Sequence, residues 1–244
     1  MKPPTSPIVI ALTLLCFVIL PIVQAVSPAP DGGYPGGNAA EGQNALLSLT
    51  TGTYNAAIGL YSLLSLTDGN FCTGVGAGTL LLNTADSNTA TGAGALLSNT
   101  TGTQNTANGT FALFTNTEGS DNTAIGFDAL LSNTTGSENT AIGSQALALN
   151  TGGFDNTAVG SQALNSNTTV GNTAIGSQAL ALNTEGFDNT AVGFQALLST
   201  DIGSRNTATG GSALTSNTGS FNTANGAGAL ENNTTGENNT GHWC

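Results

Sequence analysis

The chain has 244 residues, of which only 7% are charged; 14 acidic side chains face two basic ones, for a formal net charge of −12. Lys2 lies in a segment expected to be removed, so Arg205 would remain as the sole cation, which argues against a basic patch for nucleic acid or anionic lipid. The one His, His242, is distant in sequence from Cys72, and no Ser-His-Asp or Cys-His arrangement can be assembled.

Residues 1–25 have the three parts of a secretory signal: Lys2 near the start, an apolar run over 8–20, and a small-residue exit at Val23, Gln24 and Ala25. Export is therefore expected, with an extracellular or cell-surface location. The run falls short of the roughly 20 residues a bilayer requires, no second one follows, and the mature chain is expected to have no membrane span. Cys16 follows Leu15, where a lipoprotein site would want a small residue. Residues 26–37, VSPAPDGGYPGG, read as a flexible leader.

From Asn38 onward the chain repeats itself. Residues 139–155, NTAIGSQALALNTGGFD, recur on either side every 17 or, less often, 16 residues, giving twelve units from Asn38 and the opening of a thirteenth at Asn239. A fixed period of this length marks a stacked array in which no unit buries its apolar face alone. The expected fold over 38–244 is all-β, a parallel β-solenoid (β-roll) of twelve coils of 16–17 residues.

Counting the first Asn as position 1, position 5 is Gly in all twelve units (Gly126, Gly143 and Gly160 in mid-array) and position 9 is Leu in all twelve (Leu130, Leu147, Leu164). Position 3 is Ala except for Gly74, and position 8 is Ala except for Ser62 and Thr79. Asn-Thr-Ala-Ile/Val-Gly suits a short strand. Alternation should turn the Ala and Gly of positions 3 and 5 into the coil and positions 2 and 4 outward. Positions 6 to 11 fit a second strand or one short helical turn, and both remain open. Asn at position 12 and Thr at position 13 read as turn chemistry. Asn at position 1, as in Asn122, Asn139 and Asn156, can form an amide ladder along the axis. Glycosylation sequons occur at Asn99, Asn108, Asn133, Asn167, Asn232, Asn233 and Asn238.

Three outward rows bear on function. Position 4 holds five consecutive aliphatics, Ile125, Ile142, Val159, Ile175 and Val192, which suggest a partner surface; the alternative is a half-exposed strand face with ordinary β-propensity. Asp121, Glu138 and Asp155 each precede position 1 and would stack about one strand spacing, ~4.8 Å, apart. Calcium could relieve that repulsion, or the three are solvated turn residues that keep the surface soluble. Thr at position 2, in ten of twelve units, invites comparison with ice-binding solenoids, although position 4 supplies no second Thr rank.

The recurring Asn-Thr-Ala-Ile/Val-Gly, with Gln-Ala-Leu and Asn-Thr-Thr-Gly, resembles the head repeats of YadA-like trimeric autotransporter adhesins and the repeats of tail-fibre-like proteins of bacteria and phages. The resemblance covers nearly all of the mature chain. It implies a left-handed β-roll that trimerises through outward aliphatics, here Ile125, Ile142, Val159, Ile175 and Val192. The expectation is a secreted or surface-exposed structural or adhesive fibre module, homotrimeric, with an extracellular ligand (a glycan, matrix or cell surface), no cofactor and no enzymatic activity. Alternatives are an ice-binding solenoid that uses the Thr row, and a glycan-processing β-helix enzyme, for which several Asp, Arg or Lys on one face are wanted while Arg205 stands alone. Neither the stalk and barrel of the adhesins nor the chaperone domain of tail fibres is evident, which fits free secretion, attachment through a partner, or a fragment. Cys72 and Cys244 would lie ten coils, on the order of 48 Å, apart, too far for a disulfide within one chain.

Overall fold

The computed structural model describes residues 34–243, so the expected signal at 1–25, most of the leader and Cys244 lie outside the described residues. Thirteen strands of three residues each, from β1 (Ala39–Glu41) through β7 (Thr140–Ile142) to β13 (Thr240–His242), form one sheet in sequence order. Every pairing is parallel and in register, as in Thr140↔Thr157, Ala141↔Ala158 and Ile142↔Val159. The all-β parallel solenoid read from the repeat is what the chain forms. Of the leader, residues 34–37 close a turn in which the Tyr34 amide donates to the Asn38 carbonyl at 2.9 Å, while Gly36 O accepts from Tyr54 N, also at 2.9 Å.

Each strand is short because the next residue leaves it: the position 5 glycines have φ between 117° and 144° (Gly226 and Gly109), a region L residues avoid. The expectation that this glycine faces the interior is overturned. A Cβ on Gly143 would stand 2.5 Å from Gly160 O and 2.6 Å from Gly160 C, in the next coil. The ladder therefore points along the axis, and Gly is needed because successive backbones stack directly there.

Positions 6 to 11 form neither a second strand nor a helical turn. Gln145 and Leu147 have φ of 58° and 50°, which a right-handed helix does not permit, and there is no helix among the described residues. The amides alternate in direction. Gln145 N donates to Phe127 O of the preceding coil at 2.8 Å, and Leu147 N donates to Ala163 O of the following one at 3.0 Å. Ala146 N donates within its own coil to Gly143 O at 3.3 Å. The second wall is thus built of consecutive turns whose left-handed residues aim every other N–H at a neighbour.

That geometry explains the Leu ladder. A left-handed Leu costs roughly 1–2 kcal/mol, but Leu130, Leu147 and Leu164 are completely buried, and burial of a Leu contributes about 1.5–3 kcal/mol. The interior they fill is thin, completed by Ala at positions 3 and 8. Its three exceptions belong together: Ser62 Oγ lies 2.8 Å from Thr79 Oγ1 and donates to Gly74 O at 3.0 Å. A Cβ on Gly74 would meet Ser62 Oγ at 2.5 Å, so the two hydroxyls at position 8 require the glycine at position 3.

Candidate functional site

The Asn at position 1 is a buried scaffold. Asn139 Nδ2 donates to Asn122 Oδ1 at 3.1 Å and to Gly153 O at 2.8 Å, while Asn139 Oδ1 accepts from the backbone N and the Nδ2 of Asn156, both at 3.1 Å. Asn122, Asn139 and Asn156 are fully buried, so each donor and acceptor must be met inside the protein. A second ladder runs beside it at position 12, where turn chemistry was expected: Asn116, Asn133 and Asn150 each donate to the Asn of the preceding coil at 2.7–2.9 Å. Both ladders converge on the carbonyl at position 15, as at Gly153, which accepts from Asn139 and from Asn150. The packing leaves no room for a Cβ at that glycine, which would reach Asn150 Oδ1. The sequons at Asn99, Asn133 and Asn167 belong to this buried ladder, so no glycan can sit there.

The second ladder breaks where a coil departs from the pattern. Asn150 Oδ1, Asn183 Oδ1 and Thr200 Oγ1 are buried with no hydrogen-bond partner among the described residues. Thr200 stands where Asn183 would meet an Asn, and in the short coil 156–171 Asn167 Nδ2 turns to Thr169 O at 3.0 Å. Cys72 replaces Asn in the first ladder: its thiol donates to Ala85 O at 3.1 Å, and Asn83 Nδ2 approaches its Sγ at 3.5 Å. Burial pushes the Cys72 thiol above its usual pKa range.

With the interior filled, function falls to the surface, and the strand face is its most regular part. Positions 2 and 4 point outward as alternation required, with Ile125, Ile142 and Ile175 about two-fifths exposed (40%, 38% and 43%) and Val159 and Val192 half-buried. These five are consecutive register partners in one sheet. No charged residue occupies either outward position between Ala56 and Asn225. Thr fills position 2 in eleven consecutive strands from Thr73 to Thr240.

The turn edge beside that face carries the carboxylates. Asp121, Glu138 and Asp155 are exposed, with φ of 56–58°, on successive coils. Among the described residues no group of three or more His, Cys, Asp or Glu is arranged to hold a metal ion. Further along the same row Arg205 lies 3.6 Å from Asp188 and sits over the Phe187 and Phe221 rings at 5.4 and 5.6 Å.

Two features lay outside the sequence reading. Gln145, Gln162, Gln178 and Gln195 form a half-buried amide ladder, in which each of the last three donates to the one before it at 2.9–3.2 Å. Near the start of the array the turn edge opens into a cavity of about 400 Å³ lined by Asp68, Gly69, Asn70, Thr84, Ala85, Asp86 and Thr103. The lone 16-residue spacing in that part of the chain, between Cys72 and Asn88, was its only trace in the sequence. No protein-family model matches the chain, and neither a curated protein nor a solved structure matches it.

Proposed function

We propose that the chain is a secreted or surface-exposed structural and adhesive fibre module that assembles as a homotrimer through its strand face, doing no chemistry of its own. One observation carries this reading: five aliphatics in register, Ile125, Ile142, Val159, Ile175 and Val192, lie on an uncharged outward face with three of them exposed. A row of that kind gains by leaving water, and three copies that turn the same rank toward a common axis would close it off. The resemblance to adhesin heads and the expected export signal support an extracellular location, with a glycan, matrix or cell surface as ligand. Light scattering on the purified protein should give a mass near three chains, and Ile142→Glu should reduce it to one; a wild-type monomer at micromolar concentration refutes the assembly.

A second reading, adsorption to an ordered lattice such as ice, is favoured by the eleven Thr in register at position 2. The mixed rank of Ile, Val, Asn and Thr beside them argues against it. Thermal hysteresis in dilute protein would establish it, and its absence leaves the fibre module.

A further inference from the structure

The cavity at the turn edge lies where one of the array's three 16-residue coils is stacked between 17-residue neighbours. The coil over 72–87 keeps its strand in register, with Thr73, Gly74 and Val75 opposite Thr89, Ala90 and Thr91. The missing residue must therefore come from the turn, which steps back between the longer turns at Asp68 and Thr103. The lining is polar and its groups are held in place. Asn70 N donates to Asp86 Oδ1 at 2.7 Å, Thr67 Oγ1 donates to Asp68 Oδ1 at 3.0 Å, and Asn70 Oδ1 accepts from Thr53 N at 2.9 Å. Each carboxylate thus has its Oδ2 to offer to an incoming hydroxyl.

Phe71 follows Asn70 at this edge, and its ring is stacked on that of Tyr54 with centroids 5.4 Å apart and planes 5° from parallel. Phe71 and Tyr54 are 59% and 64% exposed. Tyr54 lies against Gly37, within 3.0 Å of where a Cβ would be. On the other side of Phe71 the next coil carries only Ser87 in the same row, and Phe71 itself adjoins the cavity through Asn70, which lines it. Both aromatics hold a φ of 59°, a conformation L side chains rarely adopt; Phe221 shares the row and that φ, and the remaining coils fill the same position with Ser, Gln, Asp, Glu, Gly, Arg or Asn. An aromatic is thus not required there by the fold.

We propose that this step binds a neutral pyranose of a glycan, with the Phe71 ring against the C–H face of the sugar and its hydroxyls on Asp86, Asp68 and Asn70. An exposed ring with a negative π face takes polarised C–H groups, and fixed acceptors at its side give orientation and specificity. The carboxylates and the acidic chain disfavour anionic sugars. The inference rests on the adhesive reading above and names its ligand class and site. The full chain should bind neutral hexose-terminated oligosaccharides on a printed array. In calorimetry with the best of them, Phe71→Ser should weaken binding at least tenfold and Asp86→Asn severalfold, with Gln104→Ser, on the same row, unchanged. Light scattering on the same samples reports assembly separately. A trimer that binds no neutral oligosaccharide, or binds one equally well as Phe71→Ser, overturns the sugar site alone; a monomer that still binds overturns the assembly alone.

Discussion

Replacing Asn139 by Ala tests the amide ladder at its centre. The substitution removes four side-chain hydrogen bonds: two donated, to Asn122 Oδ1 at 3.1 Å and Gly153 O at 2.8 Å, and two accepted, from Asn156 N and Asn156 Nδ2 at 3.1 Å. Their losses are unequal. Asn122 Oδ1 keeps the Asn139 amide at 3.0 Å, and Gly153 O keeps Asn150 Nδ2 at 3.0 Å, so each donated bond forfeits only a net 0.5–1.5 kcal/mol or so. The Asn156 amide is left buried with no partner, at a cost of about 1–3 kcal/mol. The sum is about 2–6 kcal/mol. Denaturant titration followed by circular dichroism should show that loss, whereas Gln162→Ala, on the half-buried surface ladder, should cost about 1 kcal/mol or less. A midpoint for Asn139→Ala within about 1 kcal/mol of the parent would refute the ladder as a stabilising element. Asn139→Asp adds a sign. Burial among acceptors raises the carboxyl pKa of the folded state above the unfolded value of about 3.9. The folded state then holds its proton longer, so the variant is least impaired below about pH 4 and loses stability as pH rises toward the raised folded value.

The remaining predictions concern single backbone and side-chain sites. Gly143→Val should lower stability by about 3 kcal/mol or more in thermal melting, since its Cβ would stand 2.5 Å from Gly160 O at a φ of 136°; an unchanged midpoint would refute the direct stacking of glycines. Glu138→Asn should stabilise by about 0.5–1 kcal/mol, because Glu138 is exposed at a φ of 58° that Asn tolerates better, and a lower melting point would show that Glu138 makes contacts the structure lacks. The Cys72 thiol should resist alkylation at pH 8 until denaturant is added. Its raised folded pKa means that the unfolded chain ionises first, so stability should decline as pH rises past about 8.5; rapid native labelling would contradict its burial.

The sequence by itself determined the period, the parallel stack, the outward strand face and the inward Leu, because each follows from a local rule repeated twelve times: a two-residue alternation, a glycine bound and an apolar position that never varies. It could not determine positions 6 to 11. Leu147 at a φ of 50° contradicts every local preference of that residue, and only the neighbouring coils that bury it make the conformation favourable. Nor could it separate Asn150 from an ordinary turn asparagine, since the same side chain caps a turn or joins a ladder depending on what lies 17 residues away. The direction of the Gly143 ladder was misread for the same reason: alternation places a side chain inside or outside a strand, but the space above it belongs to Gly160 of the next coil. The candidate surface divides likewise. The aliphatic rank at Ile125, Ile142, Val159, Ile175 and Val192 was legible from the pleat, whereas the cavity between Asp68 and Thr103 is lined by residues of three successive coils that only stacking brings together. Contacts within a strand are set by nearest neighbours along the chain; contacts between coils are set by register, which exists only once the stack has formed.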